Sequence, residues 1–149
     1  MRRSFKAAVG AAALGIVLVS AGSAQADTVD TNGRWAEVTQ TTTSGWAEAA
    51  LQFVDSSGNP INSKTTPAYA EATFFDVETG YTLNGWLERS TNGGSTWTQE
   101  SGIHALSSTL SSTDESTTDP YYDGPGYLER ACFQFTSWSG AAVHCSPAI

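Results

Sequence analysis

Apolar and polar residues alternate along much of the chain with a period of two, the spacing that places side chains on opposite faces of a strand. In Trp46–Val54, Glu48 and Gln52 alternate with small or apolar residues. The alanine and glutamate content of this run also allows a short helix, but the alternation favours a strand. Tyr69–Val77 and Tyr81–Arg89 are further strand candidates.

Two positions inside these runs predict close packing. Phe74 and Phe75 are adjacent, so at least one ring should meet a second surface. Gly85 lies within a strand candidate, which predicts a bulge or the close approach of another segment.

Turn-forming clusters and polar stretches separate the strand candidates. Asp55–Pro60 combines Asp, Ser, Gly, Asn and Pro, and predicts a turn. Thr31–Ser44 is an alternating, threonine-rich run that suits an edge strand. Ser107–Thr118 has nine Ser or Thr residues in twelve positions. Such a segment buries too little apolar surface to offset its ordering entropy, so we expect a flexible loop or an edge strand followed by one.

The end of the chain predicts a hairpin with a disulfide. Tyr127–Phe135 is rich in aromatic residues, Thr136–Gly140 supplies turn formers, and Ala141–Cys145 returns. Cys132 and Cys145 are the only cysteines, so a disulfide within the chain must join them. About seven strands, frequent turns and no convincing helix indicate an all-β fold, an antiparallel β-sandwich.

The N-terminus is predicted to be a signal peptide, residues 1–26. A basic segment precedes an apolar run too short to span a membrane stably, and Ala24-Gln25-Ala26 has the small-x-small pattern of a cleavage site. Residues 27–149 would form a single secreted domain, released or held non-covalently at the cell surface. No later segment is apolar enough to cross a membrane, and an oxidising compartment favours the disulfide.

Charge narrows the choice of partner. Removing residues 1–26 takes away three basic residues and leaves four against 15 acidic ones, a net charge of −11. This charge opposes binding to nucleic acid, which depends on neutralising phosphates, and to anionic membrane surfaces. A basic or uncharged partner is favoured.

Ser90–Trp97 predicts a hairpin, because Asn92 and Gly93 between two strand-like runs both accept a positive φ. The octet also resembles the Asp box of sialidase-type repeats, S-x-D-x-G-x-T-W, with Asn92 in place of the aspartate. In those families the box is a structural hairpin that occurs several times per chain. The resemblance of this single copy implies a hairpin and no sialidase activity.

A second resemblance concerns the whole domain. Pro125-Gly126-Tyr127 resembles the tyrosine corner of immunoglobulin and fibronectin type III domains, and Trp86 lies where their core tryptophan would be. The resemblance implies an immunoglobulin-like β-sandwich of about seven strands, of the kind carried by small exported bacterial proteins. A disulfide between neighbouring strands departs from the immunoglobulin pattern, which links two sheets, so the strand order stays open.

Catalytic motifs are absent from the sequence. It contains no G-x-S-x-G, no H-E-x-x-H and no phosphate-binding glycine loop, and nothing local marks His104 or His144 as catalytic. Glu88 and Glu129 are the least ordinary carboxylates, and we expect strand ion pairs with Arg89 or Arg130. We predict no enzyme, no cofactor and no metal site.

An acidic cluster near residue 119 could bind calcium, although the EF-hand spacing is missing. A solvated acidic loop is the simpler interpretation. The cluster consists of Asp114, Glu115, Asp119 and Asp123.

Aromatic residues are the better functional lead. Trp138 falls at the predicted hairpin tip, and Tyr121 and Tyr122 fall in a loop. Exposed rings bind sugars and proteins through apolar contact combined with polar edges. We therefore expect a secreted, non-enzymatic domain that binds a carbohydrate or another extracellular or cell-wall component through these three residues. The alternatives are an inhibitor or interaction module that presents the disulfide hairpin to another protein, and a small secreted hydrolase.

Overall fold

A computed structural model of the chain describes residues 25–29, 35–41, 45–61, 68–77, 80–108, 113–136 and 141–149. Within these residues the chain forms two antiparallel sheets and no helix, which confirms the predicted all-β sandwich. None of the described residues belongs to a helix long and apolar enough to cross a membrane. The strands are β1 Gln25–Val29, β2 Trp35–Thr41, β3 Trp46–Val54, β4 Ala68–Asp76, β5 Leu83–Ser90, β6 Thr98–Gln99, β7 His104–Leu106, β8 Asp114–Thr117, β9 Tyr121–Asp123, β10 Leu128–Phe135 and β11 Val143–Cys145.

Short strands complete both sheets, which is why eleven strands are described instead of about seven. The first sheet has the order β1-β2-β3-β4-β8, and β9 pairs with the beginning of β4 while β8 pairs with its end. The second sheet has the order β11-β10-β5-β6, and β7 also pairs with β5. The predicted edge strand, β2, is interior to the first sheet because β1 lies beyond it.

The two sheets bury their inner faces against each other with unequal side chains. Alanines of the first sheet face larger residues of the second, which allows the close packing typical of protein interiors. The first sheet buries Ala47, Ala49, Ala70 and Ala72 together with Val38, Leu51 and Phe74, and the second buries Leu83, Leu87, Phe133 and Phe135.

Gly85 makes the close approach that its position predicted. Phe74 is fully buried, and a Cβ placed on Gly85 would lie 2.4 Å from the Cγ atom of that ring. The neighbouring ring, Phe75, is half-buried on the opposite face of β4. Both faces of this strand therefore carry an aromatic residue, one in the core and one outside it.

Local hydrogen bonds build the predicted turns. The Asp55 carboxylate accepts hydrogen bonds from the backbone amides of Ser57 and Asn59 at 2.8 and 3.0 Å. In the hairpin between β5 and β6, Asn92 Oδ1 accepts from the Thr96 amide at 3.0 Å. Asn92 Nδ2 also donates to Thr96 Oγ1 at 2.8 Å. The hairpin is confirmed, but its positive φ angles fall on Gly93 and Gly94 and not on Asn92 as predicted. Asn92 instead caps the turn with its side chain, at the position of the aspartate in an Asp box.

The disulfide joins Cys132 on β10 to Cys145 on β11, which confirms the predicted pairing on neighbouring strands. Glu88 lies beside the two sulfurs. A disulfide offers no thiolate to a metal ion, so this group is a covalent crosslink next to a carboxylate.

Trp86 does not lie in the core. It is half-buried on the outer face of the second sheet, so the prediction of a core tryptophan there is wrong. Gly85 and Leu87 point into the core, and alternation turns the residue between them outward.

The predicted signal peptide lies outside the described residues, apart from its last two positions, which belong to β1.

Candidate functional site

The outer face of the first sheet carries aromatic rings among carboxylates. Alternation produces this face, because the residues between the buried alanines of β2, β3 and β4 must point away from the core. The outward side chains include Trp35, Glu37, Thr39, Trp46, Glu48, Ala50, Gln52, Tyr69, Glu71, Thr73 and Phe75, with Glu115 and Thr117 on β8 and Tyr122 on β9.

A groove of about 320 Å³ lies on this face. Ala50 lies at its centre, between Glu37 on β2 and Thr73 on β4, and its methyl group leaves room that larger neighbours enclose. The groove is lined by Trp35, Glu37, Ala50, Leu51, Gln52, Thr73, Phe75 and Glu115.

The two aromatic residues of the groove are set apart by the strand register. Trp35 pairs with Gln52, and Gln52 pairs with Glu71, which precedes Phe75 by four residues on β4. Ordinary sheet dimensions then place the Cα atoms of Trp35 and Phe75 about 17 Å apart. The rings therefore flank an extended space and do not clamp a single small group.

Neighbouring side chains hold this surface in place. Gln52 Nε2 donates a hydrogen bond to Glu71 Oε1 at 3.0 Å. The Trp46 and Phe75 rings have their centroids 6.5 Å apart. These contacts join side chains of paired strands, so the groove is built on the hydrogen-bonded sheet and not on loops.

The charged groups of this face are carboxylates. Burial raises the pKa of Glu48, and the nearby Glu37 carboxylate raises it further. Within the described residues the basic side chains are Arg89 and Arg130, and both belong to the second sheet. The described part of the groove face therefore has an uncompensated negative charge.

The structure does not bring the predicted site residues onto one surface. Tyr121 is half-buried and packs against the core, whereas Tyr122 is 45% exposed on the opposite face of β9. The Tyr122 ring contacts Tyr69 edge-on, with centroids 5.8 Å apart, on the same outer face as the groove. Trp138 lies outside the described residues, so its part in binding stays a prediction.

The two carboxylates singled out from the sequence form the expected ion pairs. Glu88 Oε2 accepts a hydrogen bond from Arg130 Nη2 at 2.6 Å, and Glu129 Oε1 accepts one from Arg89 Nε at 2.5 Å. Glu88 is on the outer face of the second sheet and Glu129 is fully buried on the inner face. They therefore cannot act as a facing pair of catalytic carboxylates.

Glu129 belongs to a buried polar cluster between the sheets. Burial raises the pKa of Glu129 to about 7, Arg89 opposes the rise, and the charges of Asp123 and Glu100 add to it. The Arg89 guanidinium also donates to Glu100 and to the Tyr122 carbonyl, each at 2.6 Å. This cluster does not line the groove.

The histidines have structural contacts within the described residues. His104 Nδ1 and Ser116 Oγ are 2.7 Å apart, a hydrogen bond that joins β7 of the second sheet to β8 of the first. The His144 ring stacks on Phe133, with centroids 5.2 Å apart. Of the acidic cluster, Asp114 accepts from the Ser107 amide at 2.8 Å and Asp123 is buried, so its members are dispersed.

The sequence does not predict the groove, because its candidate aromatic residues lie in predicted loops and the groove lies on strands. Phe75 carried a signal, since its neighbour Phe74 had to occupy the other face of the strand. Trp35 and Ala50 carried none, because their proximity depends on which strands pair. No protein-family profile, curated protein or solved structure matches the chain, so the chemistry of the groove is the guide to its ligand.

Proposed function

We propose that this chain is a secreted, non-enzymatic binding domain that holds a glycan of the cell wall or its surroundings in the groove of the first sheet. One observation carries the proposal. Two aromatic residues, Trp35 and Phe75, flank a groove that also presents amide, hydroxyl and carboxylate groups.

The groove suits the mixed surface of a sugar. Sugar rings have apolar faces that stack on aromatic side chains and hydroxyl edges that form hydrogen bonds. Gln52 can donate and accept, Thr73 can do the same, and Glu37 accepts from hydroxyl groups. Because the groove lies on a sheet face, a polymer can continue beyond both aromatic residues.

Secretion is part of the proposal. The predicted signal peptide, residues 1–26, supports export. The disulfide is compatible with an oxidising compartment outside the cytoplasm. A domain that binds a cell-surface glycan would work in that compartment.

A second candidate is an inhibitor or protein-interaction module. The observation that favours it is the hairpin of β10 and β11, which the disulfide stabilises. It predicts that Trp138, between these strands, contacts the partner. The hydrolase alternative has less support, since Glu88, His104 and Glu129 do not line the groove.

The test is a pull-down with insoluble polysaccharides, followed by affinity measurement on soluble fragments. We expect Trp35→Ala to weaken binding by about tenfold or more, because a central aromatic contact usually carries much of the binding energy. Phe75→Ala should act in the same direction. Trp86→Ala is the matched control, because it removes a half-buried tryptophan from the outer face of the other sheet.

The variant Trp138→Ala distinguishes the groove from the β10–β11 hairpin as the binding site. If Trp138→Ala abolishes binding while Trp35→Ala leaves it intact, the site is at the hairpin and the groove is not the binding surface. If no polysaccharide is retained by the wild-type protein, the glycan-binding proposal is wrong. Thermal unfolding of each variant establishes that a loss of binding is not a loss of folding.

A further inference from the structure

We propose that the glycan in the groove is an amino-sugar polymer with free, protonated amines, an inference that rests on the proposed glycan-binding function. Glu37 and Glu115 would bind these amines while the aromatic rings stack on the sugars. The distribution of charge around the groove distinguishes this ligand from a neutral polysaccharide.

The carboxylates lie on opposite sides of the groove. Glu37 is on β2 and Glu115 is on β8, three strand spacings apart, or about 14 Å across the sheet. Glu48 lies on β3 between Thr39 and Phe75, close enough to Glu37 for their charges to interact. The negative charges are therefore spread across the width of the groove and are not confined to one place.

No described basic residue neutralises these carboxylates. Arg89 is engaged by Glu129 and Glu100, and Arg130 by Glu88, all in or next to the second sheet. The Glu37 and Glu48 carboxylates repel each other, and a cation bound near them would relieve that repulsion. The groove is thus electrostatically complementary to a positively charged ligand.

An ammonium group forms stronger hydrogen bonds with the carboxylates of the groove than a hydroxyl group does. Carboxylates only accept hydrogen bonds, and an ammonium donates three, each strengthened by charge. The face of a tryptophan such as Trp35 also attracts a cation. An acetylated amino sugar would keep the stacking and lose both charge effects.

The aromatic rings favour a sugar over a basic peptide. Trp35 and Phe75 provide apolar surfaces for flat-faced rings, and Gln52 and Thr73 provide uncharged hydrogen-bonding groups between them. A lysine-rich peptide would use the carboxylates and leave these features unused. Polylysine therefore serves as the competing ligand in the test.

Isothermal titration calorimetry of the purified protein with two hexasaccharides tests the inference. One is made of glucosamine and the other of N-acetylglucosamine, in mildly acidic buffer in which the free amines carry charge. We expect the glucosamine hexasaccharide to bind at least tenfold more tightly, with an affinity that falls as salt is added. Each of Glu37→Gln and Glu115→Gln should weaken its binding roughly three- to tenfold.

Asp119→Asn is the matched control, because it removes the same charge from an exposed position that does not line the groove. If both hexasaccharides bind equally and Trp35→Ala weakens both, the glycan-binding function stands and the amino-sugar inference is overturned. Polylysine binding as tightly as the glucosamine hexasaccharide also overturns it. If neither hexasaccharide binds, the amino-sugar inference is overturned, and the polysaccharide pull-down alone decides whether the glycan-binding function stands.

Discussion

Gly85 shows how one missing side chain sets the packing of this sandwich. The Phe74 ring occupies the space where a Cβ of Gly85 would be, 2.4 Å from the nearest ring atom. Since core side chains are close-packed, even one methyl group here must displace the ring or separate the sheets.

We expect Gly85→Ala to lower the free energy of unfolding by roughly 1–3 kcal/mol, the usual effect of overpacking a core. Urea unfolding monitored by tryptophan fluorescence measures it. Gly102→Ala is the control, since a Cβ there has no heavy atom within 4 Å and the backbone does not need a positive φ. Equal effects of the two variants would contradict the packing explanation.

Predictions for single residues were correct where the chemistry, or the alternation of side chains between the two faces of a strand, allowed only one outcome. Two cysteines can form only one disulfide, and adjacent Phe74 and Phe75 cannot share a face. The resemblance to immunoglobulin domains predicts a buried Trp86, whereas the alternation of side chains along β5 predicts an outward one. Leu87 and Gly85 both required the inner face, which left the outer face for the tryptophan.

At the scale of elements, the hairpin between β5 and β6 depends on its own side chains. Asn92 uses both side-chain atoms, since Oδ1 accepts from the Thr96 amide and Nδ2 donates to Thr96 Oγ1. Ser90 Oγ accepts from the Gly94 amide at 2.8 Å and donates to Asn92 Oδ1 at 2.9 Å. Such local bonding explains why eight residues of sequence sufficed to predict the turn.

We expect Asn92→Ala to reduce the free energy of unfolding by about 1–2 kcal/mol, because it removes several hydrogen bonds of the turn. Asn92→Asp should have less than half that effect, since the carboxylate keeps the acceptor and Thr96 Oγ1 can reverse its role and donate. Chemical unfolding of the two variants gives both values. Similar losses for both would show that the acceptor is not what holds the hairpin.

Elements defined by their partners were harder to predict. β3 was predicted with its full range because alternation runs through it. β7, β8 and β9 have only three or four residues, and each forms by pairing with part of β4 or β5. No local pattern fixes such a strand, because its hydrogen-bond partners come from distant parts of the chain.

At the scale of the whole molecule, the candidate site is assembled from four strands. Trp35, Ala50, Phe75 and Glu115 belong to β2, β3, β4 and β8, and only their pairing creates the groove. The sequence predicted aromatic recognition in general, but could not predict this location without the strand order. Because the groove lies on paired strands and not on loops, we expect it to be largely formed before a ligand arrives, which would lower the entropy lost on binding.

Global stability should depend on pH through Glu129. Its folded pKa of about 7 lies above the ordinary glutamate value of 4.5, so the folded state holds the proton more tightly than the unfolded chain does. This contribution to stability is complete below about pH 4.5 and is lost as the pH rises through about 7. The Glu129→Gln side chain cannot ionise. As the pH rises from 4.5 through about 7, we therefore expect the free energy of unfolding to fall less for this variant than for the wild type.

Urea unfolding of both proteins at a series of pH values measures the difference. An NMR titration of the Glu129 carboxyl carbon gives the pKa directly. A midpoint near the ordinary value, or parallel stability curves for the two proteins, would show that Arg89 outweighs burial in this cluster.

The short strands that finish each sheet have a consequence for how the molecule meets its own copies. Beyond β4 and β5, the described sheets end in segments of two to four residues, and β8 carries Asp114 and Glu115. A sheet that ends in a long, flat strand offers its open backbone groups as a template for further chains, whereas short or charged ends do not. The borders beyond β4 and β5 are therefore poor templates for edge-to-edge aggregation.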